Sequence, residues 1–219
     1  MIPPLPPAWP YAPRTPGPAF ATREDTRLPG LEGAWTLVAP PGLVLDAAPG
    51  ELGGAYGRGG VFRRGDLVLR PYRRGGLMRL VNERVYLGPE RFQGELDAHL
   101  ALWNAGFPTV EPLGYAFRPR LWGCEGVFIT RFAEGTPWPR AWQAEALPQV
   151  KEIIGALCAW GLYAPDLNAT NFLVTPDGRT LALDWDRAEW IPGVPLEDRY
   201  RTRLARSCAK LGAPGSLVI

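Results

Sequence analysis

The sequence predicts an α+β fold built as two lobes, an N-terminal antiparallel sheet with one helix and a smaller, mainly helical C-terminal lobe. Short apolar segments bounded by glycine or proline fill most of the first half, which is typical of antiparallel strands. After Pro137 and Pro139 the apolar residues recur at helical spacing instead. We therefore expect an N-lobe over residues 35–133 and a C-lobe over residues 134–219.

The first 34 residues are rich in proline and lack apolar periodicity, so we expect an extended arm without chemistry. The whole chain has 219 residues and is 46% hydrophobic, enough for one domain or a small two-lobed unit. Neither a signal peptide nor an apolar run long enough to span a membrane is visible. We therefore expect a cytoplasmic protein.

Strands and one helix are predicted for the N-lobe. The helix starts near Glu90, carries Phe92, Leu96, Leu100 and Trp103 on one face, and stops at Gly106. The strands are expected at residues 34–39 and 42–45, in a hairpin of residues 60–63 and 66–70, and at residues 113–117 and 126–131.

The C-lobe should contain two helices with a hairpin between them. The first opens at Pro148, ends at Trp160 and is capped by Gly161. Strands at 172–174 and 180–183 flank a Pro-Asp-Gly turn. The last helix runs from about Leu196 to Leu211, with its apolar face on Leu196, Tyr200, Leu204 and Leu211 and a cationic face made of Arg199, Arg203, Arg206 and Lys210.

Composition excludes several classes of function. The only histidine is His99, so a histidine-rich metal site is excluded, and so is any Ser-His-Asp triad without it. The three cysteines, Cys124, Cys158 and Cys208, are widely spaced and predict reduced core thiols. A net charge of +2 does not indicate a nucleic-acid-binding protein. Residues 56–95, however, hold nine arginines against four acids, which suggests an anionic partner or a solvated face.

Three polar residues form the strongest candidate site. Asp166 and Asn171 lie in the segment between a predicted helix and strand, and Asp184 follows the next strand. Phosphoryl transfer requires a carboxylate that orients the acceptor hydroxyl and oxygen ligands for magnesium. The Asp-x4-Asn spacing, followed after a hairpin by a second aspartate, matches the catalytic and metal loops of protein kinases. The alternative is an ordinary turn, because Asp and Asn are common in loops.

The two segments YAPDLNATNFLV and LALDWDRAEW resemble the lipopolysaccharide core kinases, in particular 3-deoxy-D-manno-octulosonic acid (Kdo) kinases, which have a protein-kinase-like fold. Upstream, three further elements resemble that family in order and spacing: Gly57-Arg58-Gly59-Gly60, the segment LRPYRRGGL from Leu69, and Glu95 followed by LWNAGFP. The arginine-glycine-glycine element is the most specific of these, since ordinary protein kinases lack it.

The resemblance implies a role for each matching residue. Asp166 would orient the acceptor, and Asn171 and Asp184 would bind Mg²⁺. Arg70 would replace the strand lysine that pairs with the phosphates of ATP, with Glu95 as its partner. Gly57, Arg58, Gly59 and Gly60 would cover those phosphates, while Arg73 and Arg74 would receive an anionic acceptor. Each role has an alternative. The glycines could form a plain turn, Arg70 and Glu95 a surface ion pair, and Arg73 and Arg74 a solvated face.

Departures from the family pattern keep other functions open. Ala164 stands where such kinases have a histidine, and the chain after Asp184 is short, which favours a saccharide or glycolipid acceptor over a protein. The leading hypothesis is therefore an ATP- and Mg²⁺-dependent kinase acting on a lipopolysaccharide core sugar, peripheral to the inner face of the membrane. The alternatives are a nucleotide-binding pseudokinase and a peripheral-membrane binding module, both without turnover. Neither the acceptor nor the oligomeric state can be named.

Overall fold

The computed structural model describes residues 2–45, 49–50, 60–72 and 85–214. They divide into two compact units. The sheet unit comprises Pro16–Leu96 and Glu111–Phe132, and the helical unit comprises Met1–Thr15, Asp97–Val110 and Ala133–Ile219. The predicted α+β class, with an antiparallel N-terminal sheet and a more helical remainder, is confirmed. Across the described ranges, no helix is long and apolar enough to cross a membrane.

The sheet unit is built on an antiparallel sheet of seven strands, counted within the described residues. Their order is β1-β2-β6-β7-β5-β4-β3. The predicted hairpin is present as β4 and β5, but Arg64 pairs with Leu67, so its turn is Gly65-Asp66 rather than Arg64-Gly65, with Gly65 in the left-handed region (φ 58°). The strands are β1 (Ala21–Arg27), β2 (Ala34–Ala39), β3 (Pro49–Gly50), β4 (Phe62–Arg64), β5 (Leu67–Pro71), β6 (Pro112–Arg120) and β7 (Gly123–Arg131).

Alternating apolar residues of these strands form the core of the sheet unit. One face of β2 buries Trp35 and Leu37, while β5 contributes Leu67 and Leu69. Residues of β6 and β7 complete the cluster. Because side chains alternate along a strand, the buried residues of β2 and β5 are two positions apart.

Two expectations for the N-terminal third were wrong. Residues 42–45 form no strand: Pro41 and Gly42 make a turn, and Leu45 is nevertheless buried in the core. Residues 21–27, expected within an extended arm, form the edge strand β1 paired with β2. Strand β1 lies at the exposed edge of the sheet and buries little surface. Its sequence, ATREDTR, therefore has no alternating apolar residues, and the hydrophobic pattern did not predict a strand there.

Helix α1 (Glu90–Asn104) differs from the expected helix in its buried face. Phe92, Leu96 and Leu102 are buried, as are Glu95 and His99, whereas Leu100 and Trp103 are only partly buried. The predicted face followed apolar spacing alone, but both polar residues are accommodated by hydrogen bonds. Gly106 ends the helix region with φ 82°, and a Cβ there would meet the carbonyl oxygen of Ala12 at 2.0 Å.

The helical unit holds three further helices among its described residues, α2 (Trp138–Ala141), α3 (Ala146–Trp160) and α4 (Glu197–Lys210). Helix α3 starts two residues before Pro148, which is tolerated because the first amides of a helix lack intrahelical acceptors. Gly161 caps it in the left-handed conformation, as predicted. On α4, Cys208 rather than Leu211 extends the buried row of Tyr200 and Leu204.

Short strands frame the loops of the helical unit. The three-stranded sheet has the order β11-β10-β8, and the two-stranded sheet pairs β12 with β9. The predicted hairpin is β10–β11, with Phe172 opposite Ala182. The strands are β8 (Thr136–Pro137), β9 (Leu162–Tyr163), β10 (Phe172–Val174), β11 (Thr180–Ala182) and β12 (Glu189–Trp190).

The first fifteen residues pack on the helical unit. The Trp9 ring stacks on Phe107 at 6.0 Å and meets Trp160 edge-on at 5.0 Å, while its indole nitrogen donates to the Ala105 carbonyl at 2.7 Å. Trp160 donates to the carbonyl of Pro3 at 3.1 Å. This proline-rich segment was expected to be an unpacked arm, but its aromatic residues bury apolar surface against the unit.

Candidate active site

The segment from Asp166 to Asn171 lies between β9 and β10 and is held by its own side chains. Asn168 accepts from the Thr170 amide at 2.9 Å and caps a single 3₁₀ turn, Ala169–Asn171. The side-chain amides of Asn168 and Asn171 both donate to the backbone carbonyl of Asp166, at 2.8 and 3.1 Å. Two asparagines thus fix the main chain that carries the Asp166 carboxylate.

Two arginines contact the Asp166 carboxylate within the helical unit. Arg187 donates from Nε at 2.9 Å and from Nη2 at 2.5 Å to Oδ2. Arg203 of α4 donates from Nη2 to Oδ1 at 3.4 Å and from Nε to the Leu167 carbonyl at 3.1 Å. Sequence reasoning missed both contacts, because they join residues 21 and 37 positions apart.

Asn171 and Asp184 come together at one end of the β10–β11 hairpin. Asn171 immediately precedes β10, and its carbonyl accepts from the Leu183 amide at 2.8 Å. Asp184 is the next residue and has a left-handed backbone (φ 68°), which is uncommon outside glycine. The hairpin therefore places Asn171 and the residue before Asp184 in backbone contact, although Asn171 and Asp184 are thirteen positions apart in sequence.

The chemistry of this pair fits magnesium. Mg²⁺ prefers oxygen ligands and keeps several waters, so one carboxylate and one amide oxygen together with substrate phosphates are a sufficient donor set. Asn171 directs its nitrogen to Asp166, and its side-chain oxygen lies 3.3 Å from the Thr170 hydroxyl, which donates its proton to Asn168 Oδ1 at 2.6 Å. In the part of the chain that the structure describes, no cluster of three or more His, Cys, Asp and Glu side chains could hold a metal ion.

A buried hydrogen-bond network supports the segment that carries Asp184. The Thr109 hydroxyl donates to the Ala182 carbonyl at 2.8 Å and accepts from Trp185 Nε1 at 3.0 Å. His99 Nε2 lies 2.9 Å from the Val110 carbonyl and 3.1 Å from the same hydroxyl. Because a carbonyl can only accept, we assign the proton of His99 to Nε2. The single histidine therefore belongs to the buried hydrogen-bond network that supports the segment carrying Asp184.

Arg70 and Glu95 form an ion pair inside the sheet unit. Arg70 lies on β5, and its Nη2 contacts Oε1 of Glu95 on α1. Glu95 is only 3% exposed, and its other oxygen accepts from the Tyr72 hydroxyl at 2.5 Å. The guanidinium also lies 5.1 Å from the centroid of the Tyr72 ring and 5.7 Å from that of Phe128. A buried carboxylate with two donors holds the arginine in one orientation.

The remaining predicted site residues are mostly outside the described part of the chain. Gly57, Arg58, Gly59, Arg73 and Arg74 all fall there. Gly60 is described; it is exposed in a turn with φ 71°, a conformation that glycine adopts without strain. The roles expected for these residues stay predictions.

The comparisons with known proteins point to one group of enzymes, although no protein-family model matches the chain. Over 162 residues the chain is 32% identical to the 3-deoxy-D-manno-octulosonic acid kinase of Xylella fastidiosa strain M12 and 31% identical to that of strain 9a5c. The alignments cover 67% of this chain and 63% of each relative. The chain thus spans less than two thirds of the length of these relatives. The resemblance predicted from its motifs is confirmed.

Two solved structures of WbdD, one described as a bifunctional kinase-methyltransferase, are similar to the chain at a TM-score of 0.45. Their sequences are 15% and 17% identical to this chain. The matched regions include 65% of this chain but only 32% and 33% of the two WbdD chains. Because a TM-score of 0.45 does not establish a shared fold, the description of the fold rests on the elements given above.

Proposed function

Taking the chain as a sequence relative of the Kdo kinases, we propose that it is a kinase that transfers the γ-phosphoryl group of ATP to a hydroxyl of a saccharide or glycolipid. The observation that carries the proposal is the arrangement of Asp166, Asn171 and Asp184 around one end of the β10–β11 hairpin. It supports the proposal because phosphoryl transfer requires an acceptor-orienting carboxylate and oxygen ligands for Mg²⁺. The acceptor we favour is the Kdo sugar of the lipopolysaccharide core, because the relatives are named for it.

In the proposed reaction Asp166 accepts the proton of the acceptor hydroxyl while that oxygen attacks the γ-phosphorus. A new P–O bond to the sugar forms, the bond between the β,γ-bridging oxygen and the γ-phosphorus breaks, and ADP leaves. Asn171 and Asp184 would hold Mg²⁺, which neutralises developing phosphate charge. Arg70 pairs with the nucleotide phosphates, and Glu95 keeps its guanidinium oriented. These residues position and neutralise charge rather than form covalent intermediates.

We further propose that the protein works at an anionic membrane surface on the cytoplasmic side. The β6–β7 turn exposes Leu121 and Trp122, at 87% and 79% of their surface. A tryptophan with an adjacent leucine is well suited to the interface between lipid headgroups and acyl chains. Arg120 precedes this pair, is partly exposed and shares the Glu125 carboxylate with Arg118, so these three charged side chains together carry one net positive charge. A glycolipid acceptor would be found at such a surface.

The proposal is tested by transfer from [γ-³²P]ATP to Kdo-lipid A in the presence of Mg²⁺. Wild type should label the acceptor, and Asp166→Asn should lose about two to four orders of magnitude in kcat, the usual contribution of a general base. Asp198→Asn is the matched control, because its side chain is 81% exposed on the first turn of α4. Equal transfer by wild type and Asp166→Asn would contradict the mechanism.

A second readout separates catalysis from binding alone. If ATP and Mg²⁺ raise the melting temperature of the wild-type protein but no acceptor is labelled, the chain is a nucleotide-binding protein without turnover. If neither stabilisation nor transfer is seen while anionic vesicles are bound, a peripheral membrane module is the better description. Both outcomes would reject the proposed kinase.

A further inference from the structure

The Asp166 carboxylate contacts two guanidinium groups, and orienting a hydroxyl does not require either of these positive charges. Both arginines have exposed surface: their side chains are 55% exposed for Arg187 and 38% for Arg203, against 31% for Asp166. Ion pairs that water reaches contribute little to stability. A second anion can therefore reach these arginines without disturbing the core.

Helix α4 is held against the loop that carries Asp166, and its arginines bring further positive charge to that loop. Ser207 Oγ accepts from the Ala169 amide at 3.2 Å, and Arg203 donates to the Leu167 carbonyl. One turn earlier, the Arg199 guanidinium lies 5.3 Å from the centroid of the Tyr163 ring. The side of α4 that follows the loop therefore carries cations at intervals of three and four residues, namely Arg199, Arg203, Arg206 and Lys210.

The backbone conformation of Arg187 supports a functional role for the arginines around Asp166. Its φ is 61°, in the left-handed region that residues with a Cβ rarely adopt. Such conformations persist where surrounding structure holds them and are concentrated at functional sites. In this conformation the Arg187 side chain reaches back across 21 positions to the Asp166 carboxylate through two nitrogen atoms.

We propose that Arg187 and Arg203 bind a carboxylate of the acceptor, adjacent to the hydroxyl that Asp166 orients. Guanidinium groups bind carboxylates through paired hydrogen bonds, so the acceptor anion would share or replace the contacts that Asp166 makes here. This inference rests on the proposed function and adds to it the residues that bind the carboxylate of the acceptor. It is separate from the expected acceptor residues Arg73 and Arg74.

The geometry also restricts where that carboxylate lies in the acceptor. The accepting hydroxyl is one hydrogen bond from Asp166, and the anion is one hydrogen bond from arginines that already touch Asp166. Counting the bond between the arginine and Asp166, three hydrogen bonds of about 2.9 Å each link the hydroxyl to the anion, together with the widths of a carboxylate and a guanidinium. The carboxylate of the phosphorylated sugar residue itself lies within that reach.

Calorimetric titration without nucleotide tests the inference independently of turnover. The probes are the methyl ketoside of Kdo and its carboxyl methyl ester, which keeps the sugar and removes the charge. Wild type should bind the acid about tenfold more tightly than the ester, as expected for a hydrogen bond to a charged group. In Arg187→Gln and Arg203→Gln that preference should fall to about twofold or less, because a neutral amide lacks the charge of guanidinium.

Arg201→Gln is the matched control, since Arg201 lies on α4, pairs with Asp198 and is 63% exposed. It should keep the wild-type preference for the acid. An unchanged preference in both Arg187→Gln and Arg203→Gln would overturn the inference and assign the two arginines to positioning Asp166. Failure of wild type to distinguish acid from ester would also overturn it.

Kinetics then separate this inference from the proposed function. If transfer occurs, Arg187→Gln should raise KM for the acid acceptor by about tenfold and leave KM for ATP unchanged. A rise in KM for ATP alone would place Arg187 on the nucleotide phosphates and contradict the inference. If the calorimetric preference holds but no transfer is detected, the anion site stands and the proposed kinase activity falls.

Discussion

The backbone amide of Ala164 donates a hydrogen bond to the hydroxyl of Tyr200 at 2.8 Å. That hydroxyl in turn donates to the carbonyl of Leu162 at 2.8 Å. A single phenol from α4 therefore satisfies two buried backbone groups on the segment that leads into Asp166. The sequence has alanine where the resembling kinases have a histidine, and Tyr200 supplies support for the same segment from 36 residues further along the chain.

Tyr200→Phe should lower both stability and activity. Two buried backbone groups lose their partner, so the free energy of unfolding should fall by about 1–3 kcal/mol in urea denaturation. We expect kcat to fall about tenfold, because displacement of the loop misplaces Asp166. An activity equal to that of wild type would show that the loop needs no such support.

The same variant has a defined pH dependence. Burial raises the pKa of the Tyr200 phenol above its ordinary value, so the neutral, donating form is favoured in the folded protein. Its contribution to stability is therefore fully present below pH about 10, the ordinary pKa of tyrosine, and is lost as the pH rises toward the higher folded value. The stability difference between wild type and Tyr200→Phe should stay constant from pH 6 to about 9.

Arg70→Lys should weaken nucleotide binding without unfolding the sheet unit. Lysine keeps the charge but loses the planar fork that contacts Glu95 and stacks near Tyr72. We expect Kd for a fluorescent ATP analogue to rise about tenfold. Arg131→Lys is the matched control, since Arg131 is an exposed arginine of β7 that pairs with Glu111 and Asp66. Equal effects of the two substitutions would argue against a role of Arg70 at the phosphates.

Asp184→Asn should change the requirement for magnesium. Loss of the charged oxygen should raise the Mg²⁺ concentration for half-maximal transfer by about tenfold or more at fixed ATP. Asn171→Ala should shift the same curve in the same direction. Asp177→Asn, at the opposite end of the same hairpin, should leave it in place. Magnesium curves that coincide for wild type and Asp184→Asn would remove Asp184 from the metal site.

Replacing Leu121 and Trp122 by serine should reduce binding to vesicles that contain phosphatidylglycerol. These side chains are nearly fully exposed, so their loss should leave the melting temperature unchanged. Sedimented protein should decrease about tenfold, as expected when two large apolar groups no longer insert. Val44→Ser, another exposed apolar side chain of the sheet unit, is the control. Undiminished binding would exclude the β6–β7 turn as the membrane contact.

The three thiols should be unreactive in the native protein near neutral pH. Burial raises the pKa of Cys124, Cys158 and Cys208, and for Cys158, where the Glu197 carboxylate adds to the effect, to about 11. Reaction with a disulfide reagent at pH 8 should be at least about tenfold slower than in denaturant, since only the thiolate attacks. The native rate should rise with pH up to about 11. Rapid stoichiometric modification at pH 7 would refute this.

Local patterns predicted both hairpins and three of the four α-helices in the described residues, and a spacing motif singled out Asp166, Asn171 and Asp184. The buried face of α1 was predicted less well, because Glu95 and His99 are buried through partners that the sequence does not show as neighbours. Arg203 was visible only as part of a cationic helix face. Its contact with Asp166 depends on how α4 packs against the loop, and the spacing of apolar residues along the helix does not predict that packing.

The path of the chain through the two units determines the order in which its parts can fold during synthesis. All of the sheet unit lies before residue 133, so it can fold while the ribosome is still extending the chain. Trp9, in contrast, meets Trp160, and Trp160 reaches back 157 positions to Pro3. Trp9 must therefore wait, with its aromatic surface uncovered on this side, until helix α3 has emerged. During that interval the nascent chain offers chaperones a binding segment that the finished protein conceals.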